Sequence, residues 1–420
     1  MSNASSKGWR AGTGRVKFTP DEPMWLAGYA VRKEPARGTL SDLHVTALAL
    51  EDAQGAKLIL ASADIIAIPV AIADAAAAQV REHHPQVPRE NFVFAATHTH
   101  YGPEIRLDKA LFFNIPPQYA QKIPQAAANL TTAIASAIEQ ALNDLTPATL
   151  HVRHATATFA KNRRPGSDLV DHDVPILDIR SGDAIKALVF GYACHNLTID
   201  PQDLRYSADW AGYARERLGC PSLFLAGCGA DQDPHPRGSV ELSKQHGAQL
   251  ADAVKIALDV PANPVKPHLH VVMKSVPFEI QPVTHEWIEQ SLASDDPPRR
   301  AKAQYLKERL ERGEALESFY HAPMQVARLG DDLLMVFMSG EPVVEWSHKF
   351  KKLFADVAPH VWVAGYCNDM FGYIPTLRVQ REGGYEGGRA NLWSHLPAPW
   401  TESVEAAVTA GIQQLVRQVS

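Results

Sequence analysis

Phe92-Val93-Phe94-Ala95-Ala96 is an unbroken apolar run that passes directly into Thr97-His98-Thr99-His100-Tyr101-Gly102-Pro103. An apolar run of this length reads as a buried strand. On an extended backbone alternate side chains share a face, so His98 and His100 are expected to point the same way where the strand ends. Two imidazoles at that spacing can both reach one metal ion, or one can bind it while the other acts on a substrate. Gly102-Pro103 then opens a loop, where functional residues concentrate.

The pattern of apolar strand followed by polar residues recurs outward from this stretch. Val45–Glu51 and Lys57–Ser62 read as two strands across a turn at Gly55, with Asp64 just beyond. Ile65–Val80 and Tyr119–Leu145 are Ala-rich and helical, the second interrupted near Pro124. Between them Glu104–Pro117 reads as a loop carrying Leu111, Phe112 and Phe113, which are expected to contact an apolar substrate or to pack beneath the loop. Further strands are expected at Thr149–Phe159, Ala187–Cys194, Ser222–Leu225, His268–Pro277, Leu333–Phe337 and His360–Ala364. Helices are expected at Asp209–Leu218, Ser239–Leu258, from Pro342 to about Phe354, and at Thr401–Val419. Ser294–Ala315 reads as a solvated charged helix. Strands alternating with helices argue for an α/β fold of mixed sheets with flanking helices. The best boundary, near Pro261–Pro267, is too short for a linker, so residues 11–420 are read as one domain. Residues 1–10 are expected to be an irregular start.

Composition sets the bounds. The chain has 420 residues, 45% hydrophobic and 21% charged, as globular proteins have, and a formal net charge of −6 that offers no footprint for nucleic acid. No apolar stretch is long enough to span a membrane, and residues 1–8 do not read as a secretory signal. Cys194, Cys220, Cys228 and Cys367 match no zinc knuckle and are expected to be buried free thiols.

Several strands end in residues with chemical capacity: His98 and His100, then Arg163, His195, Glu341, and finally Tyr373 with Tyr385. In α/β proteins, side chains just beyond strand ends converge on one crevice. Two histidines and a carboxylate are an ordinary set for catalytic zinc, and a nearby Arg and Tyr can stabilise the oxyanion formed when bound water attacks a carbonyl. Iron or manganese would also accept such donors. Asp64, Asp209 and Asn368 are candidates to orient a ligand histidine, or alternatively to serve caps and turns.

The order and spacing of these residues resemble the catalytic domain of the neutral, non-lysosomal ceramidases. The resemblance rests on Gly12-Thr13-Gly14-Arg15-Val16, Leu26-Ala27-Gly28-Tyr29, Ala96 to Pro103, Asn162-Arg163, Cys194-His195, Gly340-Glu341-Pro342, and Tyr373 before Tyr385-Glu386-Gly387. It implies a single zinc ion held by His98, His195, Glu341 and Tyr373, with His100, Arg163 and Tyr385 acting on the scissile carbonyl. The implied reaction is attack of metal-activated water on a ceramide-like amide, releasing a fatty acid and a sphingoid base. The chain departs from the family in Ala230-Asp231-Gln232-Asp233-Pro234-His235, where the ceramidases show Gly-Asp-x-Ser-Pro-Asn. Asp233 therefore becomes a candidate substrate contact. The resemblance is also to a short form that stops before the C-terminal β-sandwich of the long ceramidases. Two other readings stay open: a zinc hydrolase of another small N-acyl amide or ester, and a binding protein on the same scaffold.

Overall fold

The apolar runs become the strands of two main sheets in the computed structural model, which describes residues 8–420. In spatial order the larger sheet comprises Ser222–Ala226, Ala184–Tyr192, Asp173–Ser181, Thr146–Thr156, Trp9–Lys17, His44–Glu51, Lys57–Ala63 and Phe92–Ala96. Its inner pairs are antiparallel. The pairs at its two ends, Ser222–Ala226 on Ala184–Tyr192 and Phe92–Ala96 on Lys57–Ala63, are parallel. The sheet curls until its ends approach, and the Ser62 hydroxyl donates to the Phe224 carbonyl at 2.6 Å.

The smaller sheet runs Leu269–Glu279, Phe319–Leu329, Leu333–Met338, His360–Ala364, with only the last pair parallel. One face of it packs on the larger sheet through Leu269, Met335, Phe337 and Trp362 against Leu177, Val189 and Leu225. Its other face buries Val276, Val326 and Val336 beneath the amphipathic helix Val404–Val419. The shared core spans the Pro261–Pro267 segment and joins both sheets into one body. Trp9 and Arg10, expected in an irregular start, belong to the first strand instead; residues 1–7 lie outside the described residues.

The outer face of the larger sheet carries helices Val70–His83 and Ile123–Asn143. Gly12 and Gly14 let the second helix lie against the first strand: a Cβ at either would meet the Ala141 or Ala137 carbonyl at 2.1 or 2.0 Å. The helical run from Tyr119 breaks near Pro124, as expected, at residues 121–122 between Pro117–Ala120 and Ile123–Asn143; Pro124 sits in the first turn of the second helix, where a proline needs no N–H partner. The helix expected from Ile65 begins only at Val70, after Pro69. Within Glu104–Pro117, Lys109–Phe112 forms a turn of helix. The charged segment near residue 300 is the helix Pro297–Glu311, and it is only partly solvated. Lys302 within it is fully buried, its ammonium donating to the Ser394 carbonyl at 2.5 Å and to that of Leu396. The cysteines are free, as expected, but Cys220 is only half-buried. No helix among the described residues is long and apolar enough to cross a membrane.

Candidate metal centre

Parallel pairing in both sheets points several strand ends the same way, and the segments that follow them meet. Phe92–Ala96 leads to His98, Ala184–Tyr192 to His195, Leu333–Met338 to Glu341, and His360–Ala364 to Tyr366 and Tyr373. Residues 366–368 also seal the open edge of Phe92–Ala96, where the Ala96 amide donates to the Tyr366 carbonyl at 3.1 Å.

The two histidines do converge, although not through strand alternation. The strand stops at Ala96, and His98 takes a left-handed backbone with φ 59°. Such strain in a non-glycine residue persists where surrounding contacts over-determine it. Here the His98 amide donates to the Ile65 carbonyl at 3.0 Å and its ring Nδ1 lies 2.7 Å from the Ile66 carbonyl. A carbonyl only accepts, so Nδ1 carries the proton and Nε2 presents its lone pair. His195 repeats the arrangement, with Nδ1 2.7 Å from the Gly229 carbonyl. Both Nε2 atoms face the same Glu341 oxygen, at 3.4 and 3.5 Å. That Oε2 is buried and has no hydrogen-bond partner.

Burial by itself would raise the Glu341 carboxyl, but His98 and His195 hold it well below the usual carboxylate range. Burial pushes the His195 imidazole down, and the Arg163 charge adds to this. His98, His100 and His195 each offer a nitrogen to a common volume, all within 4.8 Å of one another. A buried set of lone pairs around an unpartnered carboxylate oxygen fits a cation. The donors are borderline nitrogen and hard oxygen, which several divalent metals accept.

His100 is held differently. Neither ring nitrogen has a partner, and burial with the neighbouring His98 and His195 keeps the ring neutral. Its backbone carbonyl accepts from Arg32 at 2.7 Å. Gly28 (φ 96°) backs the ring so closely that a Cβ there would lie 2.4 Å from Nδ1.

Tyr373 stands beside Glu341 because Glu341–Pro342 and Tyr373–Ile374 pair as two short parallel strands. Its hydroxyl accepts from Arg163 Nη2 at 3.1 Å, and burial raises it well above the ordinary phenol value. The Arg163 guanidinium is gripped on every side: Nε donates to Glu386 at 2.8 Å and Nη1 to Asp233 at 3.2 Å. It also lies 5.6 Å from the Tyr385 ring centre. The Tyr385 side chain is 44% exposed, yet partial desolvation of its hydroxyl, with the Glu341 charge nearby, pushes it up to about 12.

The other candidates sit elsewhere. Asp64, Asp209 and Asn368 touch neither the His98 nor the His195 ring, because carbonyls already occupy both Nδ1 positions. Asp64 instead bonds the Thr97 hydroxyl at 3.3 Å and Arg215 at 2.5 Å. Asp209 accepts the Thr198 amide at 2.7 Å, and Asn368 accepts the Phe94 amide at 3.2 Å. All three brace the backbone that carries the site. Phe112 packs against Tyr305 and Phe113 against the Trp25 cluster, while Leu111 is exposed; none of the three lines the cleft over the histidines. Asp233 does line it. The sequence reading missed Gly28, Glu386 and Tyr366. The Tyr366 ring lies 4.4 Å from that of His98, with its buried hydroxyl unpartnered. Gly28 and Glu386 stand inside the quoted motifs; nothing in the sequence marks Tyr366.

A family model described as neutral/alkaline non-lysosomal ceramidase, N-terminal, matches residues 9–216. Among solved structures, "Crystal Structure Analysis of neutral ceramidase from Pseudomonas aeruginosa" superposes with a TM-score of 0.77 at 18% identity, covering 97% of this chain and 73% of that one. "Ceramidase complexed with C2" gives a TM-score of 0.76 at 17% identity, covering 97% and 74%. No curated protein matches the sequence. The sequence match and the shared fold lead to one conclusion: residues 9–216 belong to the neutral/alkaline non-lysosomal ceramidase family, N-terminal, and nearly the whole chain has the fold of the solved ceramidases.

Proposed function

We propose that the protein is a zinc-dependent amidohydrolase that cleaves an N-acyl amide with water, giving a carboxylic acid and an amine. The observation that carries this reading is the pair of pinned imidazoles, His98 and His195, aimed at the unpartnered Glu341 oxygen. His98, His195 and Glu341 would hold the ion, with Tyr373 completing the set. When bound, zinc lowers the pKa of a coordinated water and polarises the substrate carbonyl.

The remaining steps belong to the chain. The neutral, unpartnered His100 ring is placed to hydrogen-bond the reacting carbonyl and to hold a proton on its way to the leaving amine. Arg163, fixed by Glu386 and Asp233, supplies a permanent positive charge for the developing oxyanion. Tyr385, beside Arg163 and Tyr373, keeps its proton at neutral pH and is placed to donate it in a hydrogen bond. Family membership suggests a ceramide-like lipid amide as the substrate. A smaller N-acyl amide is the second reading, favoured by the charged residues that line the cleft.

The test is metal content of the purified protein with turnover of N-acyl amides before and after chelation. Stoichiometric zinc, with activity lost on chelation and restored by zinc, supports the proposal. Activity unaffected by complete metal removal would overturn it.

A further inference from the structure

The cleft over the histidines has a volume of about 680 Å³, within the range of sites for single small ligands. One wall of it is a continuous chain of alternating charges. Arg237 pairs with Asp233 at 3.3 Å, Asp233 with Arg163 at 3.2 Å, and Arg163 with Glu386 at 2.8 Å. Glu386 continues to Arg164 at 3.0 Å, and Arg164 to Glu382 at 3.0 Å. The middle of this chain is buried. Its two ends stand in water, with Arg237 48% and Glu382 45% exposed. The cleft's apolar lining is Leu197, Pro165 and the rings of Tyr29, Tyr373 and Tyr385.

An alkyl chain laid along such a wall would strip water from charged groups and return no hydrogen bonds. Phe112 and Phe113 of the neighbouring loop are already used in packing away from the cleft. We infer that the site takes short-chain N-acyl amides of polar, hydroxylated or zwitterionic amines, with Arg237 and Glu382 contacting the polar half, rather than long-chain lipid amides. This rests on the amidohydrolase reading and specifies its substrate class. Arg237 pairs with Asp233, and Glu382 pairs with Arg164 and, outside the wall, with Arg378; both keep half-exposed positions from which to bond a ligand of either sign. The buried residues between them hold Arg163 in place and are not free to repack around an acyl chain.

The experiment uses zinc-loaded protein and two amide series: N-acetyl, N-hexanoyl and N-palmitoyl derivatives of glucamine, a polyol amine, and of sphingosine. The expected result is that kcat/KM falls by at least about tenfold from acetyl to palmitoyl in each series, and that glucamides exceed the matched sphingosine amides. In the Arg237→Leu/Glu382→Leu variant, which alters two half-exposed side chains, the preference shifts toward the palmitoyl substrates. A kcat/KM that rises with acyl length, with sphingosine amides best, would overturn the inference and leave the hydrolase reading standing. Calorimetric binding of hydroxamic acids of the same three acyl lengths gives a readout without turnover. Tightest binding of the shortest acid supports the inference; tightest binding of the palmitoyl acid overturns it. Absence of turnover across both series would count against the hydrolase reading, while the hydroxamate order still decides the size of ligand the cleft admits.

Discussion

Glu341 and Tyr373 are direct partners in a two-residue parallel strand pair, thirty-two positions apart in sequence and side by side in the structure. The pairing is clamped at its start, where the Glu341 amide donates to the Gly372 carbonyl at 2.9 Å. A carboxylate and a phenol are thereby delivered to one place by backbone hydrogen bonds. Neither depends on the other's side chain for its position.

The pinned imidazoles make the first prediction. His98→Ala and His195→Ala each remove one donor from a buried set, and metal content should fall below stoichiometry in both. Activity should drop by at least about a hundredfold, because an ion-polarised water and carbonyl are lost together. Elemental mass spectrometry and circular dichroism check metal and fold separately. A variant that keeps full zinc and full activity would remove that histidine from the set.

Gly28 tests the placement of His100. In Gly28→Ala the new methyl would lie 2.4 Å from His100 Nδ1, at a backbone φ of 96° that alanine resists. The ring must move by a substantial fraction of an ångström, which predicts a loss of kcat of about a hundredfold. Metal content should be retained, since His98, His195 and Glu341 are untouched. Unchanged kcat would show that His100 need not occupy this position.

Glu386 is the buried partner of both Arg163 and Arg164, 4% exposed. Glu386→Ala leaves two guanidinium groups without their shared carboxylate, and stability should fall by about 3 kcal/mol in urea denaturation. In Glu386→Gln the shape is kept and the charge removed. Its kcat is expected to fall about tenfold with little change in KM, reporting on the orientation of Arg163.

Lys302 predicts a pH dependence away from the site. Burial, with Lys109 and Arg309 nearby, brings its ammonium down to about 7 from an ordinary value of 10.5. Between these values the unfolded chain holds a proton that the folded chain has released. Stability therefore rises with pH from about 7 toward 10.5, by at most about 1.4 kcal/mol per unit. Below pH 7 both states are protonated and the cost of burying the charge is constant. The Lys302→Met variant should show a flatter stability profile between pH 7 and 10 than the parent; an identical slope would refute the assignment.

The strands were largely legible because buried strands are apolar runs bounded by turn residues, and Phe92–Ala96, Lys57–Ala63 and His360–Ala364 all are. Helix starts were less so. Ile65–Val80 is Ala-rich throughout, yet its first residues turn along the site wall, since Ile65 and Ile66 must offer carbonyls to His98. Phe112 and Phe113 were open between substrate contact and packing because a loop sequence does not say which way it folds; both pack. Asp64, Asp209 and Asn368 were candidates to orient a ligand histidine or to serve caps and turns; their bonds go to backbone amides, hydroxyls, a guanidinium and an amide side chain rather than to histidine rings.

The sequence by itself determined which chemistry was available: imidazoles, a carboxylate, a guanidinium and phenols placed just after apolar strands, in an order that resembles one family. That information is local, carried by side-chain identity and spacing. Tertiary structure alone decided how those groups act. The carbonyls of Ile66 and Gly229 select the histidine tautomers. Parallel pairing sets Glu341 beside Tyr373, and the buried charges around Arg163 make the cleft polar. Each of these is a contact between residues tens to hundreds of positions apart, and no spacing along the chain specifies it until the two sheets have packed.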